Sequence, residues 1–171
     1  LRYRLLPYIY SNCGDITQRN GSMMRPLFFD FTDDRRAINL TDEYLFGRNI
    51  LVKPVTDPLY TFKDENKKGY AIYPEVEKAA APVNVYLPKG TDWYDFWTNK
   101  RIKGGKHIQR LAPIDIMPVY VKAGSIIPMN PSDIENLQEP CNKLVLTFVP
   151  GADGILSHYE DDGVSQDYKN G

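Results

Sequence analysis

Val83-Asn-Val-Tyr-Leu-Pro-Lys-Gly-Thr-Asp-Trp-Tyr-Asp-Phe-Trp-Thr-Asn-Lys100 is the stretch on which the fold turns. Val83, Val85 and Leu87 alternate with Asn84 and Tyr86, the period-two pattern of a strand with one buried face. Pro88 ends that strand and residues 89–92 supply a turn. Trp93, Tyr94, Phe96 and Trp97 then place both tryptophans of the chain within five residues. So large an apolar surface needs cover, and strand-like runs at 25–31, 49–55, 69–74, 117–128, 144–148 and 155–159 can provide it. Short strands gathered around one aromatic cluster predict an antiparallel β-sandwich, with at least half of the rings in its core.

The 171 residues suit one domain with some excess. Net charge is −1, and Lys and Arg are scattered without forming a stripe, so no nucleic-acid partner is expected. Cys13 and Cys141 are far apart, match no metal spacing and are expected to be free thiols. No apolar run approaches the roughly 20 residues of a membrane span, and the first residues do not read as a signal sequence, so no membrane partner is expected.

Taken in order, Leu1, Leu5, Ile9 and Ile16 follow helical spacing, but no capping residue precedes them and Pro7 interrupts them. The segment reads as an element cut in its middle. Its helix is expected to end at Asn20-Gly21, with the glycine supplying the left-handed cap. Leu27, Phe28, Phe29 and Phe31 read as a strand, and Asp42 to Gly47 as a short helical turn. Residues 56–81 are expected to be a mobile, charged loop region. Ala123 to Ser125 turn the chain back into 126–128, and 129–143 have the composition of a boundary. Leu144 to Phe148 and Ile155 to Tyr159 flank Pro150-Gly-Ala-Asp-Gly154, a strong hairpin signal.

Paired carboxylates are the working parts of many hydrolases, which singles out Asp33-Asp34, Asp42-Glu43 and Glu160-Asp161-Asp162. All three groups sit at turns, where acids are ordinarily solvated. The spacing of Asp161-Asp162-Gly163 also fails the calcium-loop pattern. His107 and His158 lack a nearby cluster at ligand spacing, so no metal and no cofactor is expected. Ser125 and Ser157 lack the strand-turn-helix setting of a nucleophile. Asn20-Gly-Ser and Asn39-Leu-Thr match the glycosylation acceptor pattern, which acquires meaning only in a glycosylating pathway. Trp93 to Trp97 offer an alternative role as a stacking platform for sugars, with core packing the favoured reading.

Eight blocks, taken in order, resemble glycoside hydrolase family 31, the α-glucosidase and α-xylosidase family. They are Leu-Arg-Tyr-Arg-Leu-Leu-Pro-Tyr-Ile-Tyr (1–10), Met-Arg-Pro-Leu-Phe-Phe-Asp-Phe (24–31), Glu-Tyr-Leu-Phe-Gly (43–47), Ile-Leu-Val-Lys-Pro-Val (50–55), Val-Tyr-Leu-Pro (85–88), Trp-Tyr-Asp-Phe-Trp-Thr (93–98), Ala-Gly-Ser-Ile-Ile-Pro (123–128) and Tyr-Glu-Asp-Asp-Gly (159–163). The resemblance implies a mainly β chain: residues 1–22 as the terminal helix of a (β/α)8 barrel that the sequence does not contain, 23–138 as the proximal C-terminal β-sandwich, and 139–171 as the start of a distal β domain. It implies that the family's nucleophile and acid/base aspartates lie upstream of Leu1, so that no residue here is catalytic. The expected partners are the catalytic barrel of the same polypeptide and, for the whole enzyme, an α-linked oligosaccharide. A second copy of the chain is a further expected partner, through the helix left uncovered. Bacterial cytoplasm and periplasm are both compatible with this reading.

Overall fold

The computed structural model describes residues 1–57, 59, 61–64, 69–72, 82–134 and 143–167. Along the chain these form α1 (Leu6–Arg19), β1 (Met24–Pro26), a 3-10 turn (Leu27–Phe29), α2 (Arg35–Ile38), β2 (Tyr44–Phe46), β3 (Ile50–Val52), β4 (Thr61–Asp64), β5 (Gly69–Ile72), β6 (Pro82–Leu87), β7 (Asp92–Asp95), β8 (Arg101–Lys103), β9 (Lys106–Leu111), β10 (Val119–Lys122), β11 (Ile126–Met129) and β12 (Val145–Phe148). The chain is mainly β, antiparallel, with one long helix at its N-terminal end, as the patterning predicts. It divides into two compact units, Pro26–Lys122 and Leu1–Arg25 with Ala123–Gly171.

In the unit of residues 26–122, β2, β3, β10, β7 and β8 lie side by side in that order, and β6 pairs with β9 in a second ladder. The register aligns Leu45, Leu51, Tyr120 and Asp95 in one row across the first sheet, and Lys122, Trp93 and Ile102 in the next. Opposite residues of an antiparallel pair share a face, so these side chains form one surface. In the second ladder Val85 stands opposite Ile108 and Val83 opposite Arg110. Leu45, Leu51, Trp93 and Tyr120 meet Val85 and Leu87 in one hydrophobic core, joined by Leu27 and Ala37. Trp93 is fully buried, and its indole Nε1 donates to Pro88 O at 3.0 Å, so the ring's one polar atom is satisfied.

The turn after Pro88 does not close a hairpin: β6 pairs with β9, whereas β7 pairs with β10 and β8. Residues 88–91 therefore carry the chain from one ladder to the other, and Gly104-Gly105 carry it back. The two crossings run against each other, with Gly104 N donating to Thr91 O and Gly105 N to Leu87 O. A Cβ on Gly104 would stand 2.2 Å from Pro88 O and 2.4 Å from Thr91 O, which is why the position is glycine.

Several local expectations are corrected. The strand expected through Phe31 stops at Pro26, because Asp30 N and Phe31 N both donate to Leu27 O and curl residues 27–29 into a 3-10 turn. Tyr44–Phe46 is a strand, and Gly47 (φ 64°) turns it into β3 without closing a helical turn. Backbone ladder bonds outcompete local preference here, because β3 offers β2 a complete set of partners. Part of the expected loop at 56–81 is the ladder β4–β5; its expected mobility, and the boundary expected near Pro140, concern stretches that include residues outside those described.

In the other unit α1 starts at Leu6, which puts Pro7 in the first turn, where its missing N–H costs nothing. The helix is closed by Asn20 (φ 55°) in place of the expected glycine. A Cβ on Gly21 would lie 2.3 Å from Asp15 Oδ2, so a larger residue there would push the Asp15 side chain aside. Of the apolar stripe, Leu1 is exposed, while Leu5, Ile9 and Ile16 are half-buried. The expected 144–159 hairpin does not form: β12 pairs with β11, and residues 155–159 make no ladder. Asparagine 130 ties the same unit together, its N–H donating to Arg4 O at 2.7 Å and its Nδ2 to Tyr3 O at 2.9 Å.

Candidate functional site

Carboxylates are the natural place to look for chemistry, and the structure separates the three groups of acids. Asp33 is exposed, but Asp34 is 4% exposed and heavily bonded. It caps α2 by accepting from Arg36 N (3.2 Å), and it also accepts from Lys89 N (2.8 Å) and from the Tyr86 hydroxyl on both oxygens (3.0 and 2.8 Å). Burial pushes its acidity down, yet these donors win and hold the carboxyl below the usual carboxylate range. Tyr86 is correspondingly pushed up to about 12 by burial and by Asp34. Asp34 thus ties the turn before α2 to β6 and to the crossing at Lys89.

Asp42-Glu43 divides its labour in another way. Asp42 forms a close ion pair with Lys53 Nζ, with the lysine side chain almost wholly buried and the aspartate about half exposed. Glu43 is 5% exposed, and its Oε1 accepts from Tyr86 N at 2.8 Å, joining the edge of β2 to β6 in the other ladder. Its Oε2 is buried and has no hydrogen-bond partner among the described residues. Burial, opposed by the Tyr86 N–H and by Lys53, takes the carboxyl up to about 7. Both residues line a cleft of about 230 Å³ together with Lys53, Asp57, Asn84 and His107. Asp95 makes a third link between the ladders, its Oδ2 3.0 Å from Arg110 Nε on β9 and its Oδ1 accepting from Trp97 N and Thr98 N.

Glu160-Asp161-Asp162 belongs to the other unit and fastens an extended segment to α1. Asp161 accepts from the hydroxyls of Tyr159 (2.6 Å) and Tyr10 (2.7 Å), and those bonds lower its pKa. Asp162 is lowered in turn by the N–H groups of Val164 and Ser165. His158 stands 3.1 Å from Ser11 Oγ through Nδ1 and 2.9 Å from Glu160 Oε1 through Nε2. Ser11, which sequence reading passed over, also accepts from Tyr159 N at 3.1 Å, so its hydroxyl pins backbone to helix and faces no open space. A helical serine partnered 147 residues away leaves no local pattern to find. The solvated reading of these turns therefore fails for Asp34 and Glu43, which are buried, because a turn is also where unpaired backbone N–H groups collect, while Asp161 stays partly exposed.

The aromatic cluster splits because β7 ends at Asp95, so that Trp97, four residues after Trp93, lies in the following turn and leaves the face the strand would give it. Trp93 is buried, whereas Trp97 is 39% exposed, lies edge-on to Phe96 at 5.2 Å and donates through Nε1 to Met117 O. A single half-exposed indole held by its own domain is a poor sugar platform. Ser125 is buried beside β11, and Ser157 accepts from Arg19. Asn20 and Asn39 are exposed helix-end residues. Cys13 is a free, exposed thiol, and Cys141 lies outside the described residues. Among the described residues no group of three His, Cys, Asp or Glu is placed to hold a metal ion, and no helix is long and apolar enough to cross a membrane.

The antiparallel unit built around Trp93 falls within a stretch that matches a known domain. Residues 20–127 match the glycosyl hydrolase family 31 C-terminal domain, and the chain belongs to that family. It is 33% identical over its full length to an α-xylosidase of Saccharolobus solfataricus, of which it covers 21%, and 29% identical over 174 residues to α-glucosidase 2 of Bacillus thermoamyloliquefaciens, of which it covers 19%. Among solved structures, the family 31 α-xylosidase of Xanthomonas citri superposes with a TM-score of 0.80 at 39% identity, over 99% of this chain and 16% of that one. The chain thus spans about a fifth of the length of the curated relatives it matches.

Proposed function

We propose that this chain is the non-catalytic C-terminal β region of a larger retaining α-glycosidase, an α-glucosidase or α-xylosidase, and that it covers and braces the catalytic barrel. Residues 1–22 are read as the barrel's last helix, 23–138 as the proximal sandwich and 139–171 as the beginning of a distal β domain. The nucleophile and the acid/base of the reaction are assigned to aspartates upstream of Leu1, and the α-linked oligosaccharide to the whole polypeptide.

One observation carries the reading: the acids a hydrolase would need are spent on holding backbone. Asp34, Glu43, Asp95 and Asp161 each accept from main-chain or tyrosine donors of their own unit. A retaining site instead needs two carboxyls about 5–5.5 Å apart across an open cleft. The 171-residue chain should accordingly leave aryl α-glucosides and α-xylosides intact and give no saturable heat with malto- or xylogluco-oligosaccharides. Turnover abolished by replacing Asp34 or Asp161 with Asn would overturn the assignment, and saturable binding lost in Trp97→Ala would replace it with a sugar-binding module. Self-association is read at the exposed residues ahead of α1, Leu1 and Tyr3. Light scattering that gives the monomer mass at high concentration removes it.

A further inference from the structure

Among the described residues, Glu43 is a buried carboxyl with one oxygen left unpartnered. Within its unit the register Tyr44↔Val52 places Glu43 and Lys53 one step further along the ladder, on the inward face that carries Leu45 and Leu51. Here two carboxylates compete for one buried ammonium, and the ammonium is committed to Asp42. Asp42 is partly solvated and pairs without a large desolvation cost. Glu43 is left with one backbone N–H on Oε1 and nothing on Oε2. A buried anion so poorly partnered is costly, whereas a neutral carboxyl accepting the same N–H is not.

We infer that Glu43 is a proton-linked latch between the two ladders: as a neutral acid it holds β2 to β6, and its ionisation loosens that join. Among the described residues, charged and titratable groups reach it from several elements. The Tyr86 N–H favours the anion, as does Lys53, the residue after β3. Asp42 opposes it, and the hydroxyls of Tyr86 on β6 and Tyr120 on β10 are themselves raised to about 12, so both stay neutral and add no charge of their own. His107 on β9 lies against the Tyr86 ring at 4.8 Å and, with Asp57, lines the same cleft. Arg110 lies near Asp95, and Arg36 over the far face of Tyr86. The balance leaves the carboxyl at about 7 in the fold against 4.5 in a free side chain.

A group whose pKa is raised by folding stabilises fully below its unfolded value, and that contribution is lost as pH climbs through the folded value. The window is therefore pH 4.5 to about 7. Across it the unfolding equilibrium constant of this unit should rise by roughly two orders of magnitude from Glu43 alone. Urea melts followed by tryptophan fluorescence test this on the parent, E43Q and D42N chains. Glutamine keeps the acceptor for Tyr86 N but cannot ionise, so E43Q should match the parent near pH 5, exceed it near pH 8 and show a flatter profile. In D42N, Lys53 is freed for Glu43, so the loss over the window should shrink. Superimposable parent and E43Q profiles would overturn the latch. Should E43Q not fold, the carboxyl ¹³C titration of Glu43 in the parent decides: a midpoint near 7 supports the proposal, and one at or below 4.5 refutes it.

Discussion

Replacing Trp93 by Ala removes the largest fully buried side chain of the core, set among Leu27, Leu45, Leu51, Val85, Leu87 and Tyr120. A buried tryptophan hides roughly 150–250 Å², worth about 4–6 kcal/mol at 25 cal/mol per Å². That is an upper figure, because an unfolded chain already hides part of it. Large-to-small changes at such sites cost about 3–5 kcal/mol with the cavity included. The Pro88 carbonyl also loses its indole donor, in the crossing that joins the ladders. At roughly 2–4 °C per kcal/mol for a chain of this size, the midpoint should fall by about 10 °C or more. The comparison is Trp97→Ala: that ring is 39% exposed and donates only to Met117 O, so about 1–2 kcal/mol is expected. Both tryptophans lie within residues 26–122, so fluorescence during a urea melt reads this unit directly. Trp97→Ala should keep a blue-shifted emission and a near-parental midpoint, whereas Trp93→Ala should show the redder emission of a half-exposed ring. Equal midpoints for the two variants would mean that the inward row of Trp93 and Ile102 is not the core.

Asp34→Ala should cost about 2–4 kcal/mol, since it removes a helix cap and leaves the buried Tyr86 hydroxyl unpaired; a chemical melt within 0.5 kcal/mol of the parent contradicts that role. The Asp34 carboxyl is lowered in the fold, so its contribution is present above the unfolded carboxylate range and lost as pH falls through the lower folded value. Parent and Asp34→Ala should therefore converge in acid melts. Gly14→Ala sets a helix gain of about 1 kcal/mol against a Cβ 2.6 Å from the Tyr159 ring; the clash should win, release residues 155–162 and quicken proteolysis there, and unchanged cleavage would show that the ring yields. Gly104→Ala meets two backbone carbonyls that cannot step aside, so loss of more than about 2 kcal/mol is expected in the same melts.

Alternation alone determined much of this chain. Val83, Val85 and Leu87 face one way because strand side chains repeat every two residues; the same rule would put Trp93 and Trp97 on one face, and they part only because β7 ends at Asp95 and Trp97 falls in the turn that follows. The family blocks follow from that covalent order, and so does the mainly β class. Tertiary structure decided what such patterns do not encode. Whether β6 pairs with its neighbour in sequence or with β9 depends on where the chain crosses, and the crossing rests on Gly104 meeting Pro88 and Thr91 from 13 or more residues away. Pro150 to Gly154 carry every local mark of a hairpin, yet β12 finds its partner in β11, because a ladder forms with whichever strand lies alongside. The acids show the same division. Each sits at a turn legible in the sequence, but whether it is solvated, as Asp33 is, or buried, as Asp34 and Glu43 are, depends on which donors the fold brings to it: Lys89 and Tyr86, distant in the chain and adjacent only once the two ladders have closed.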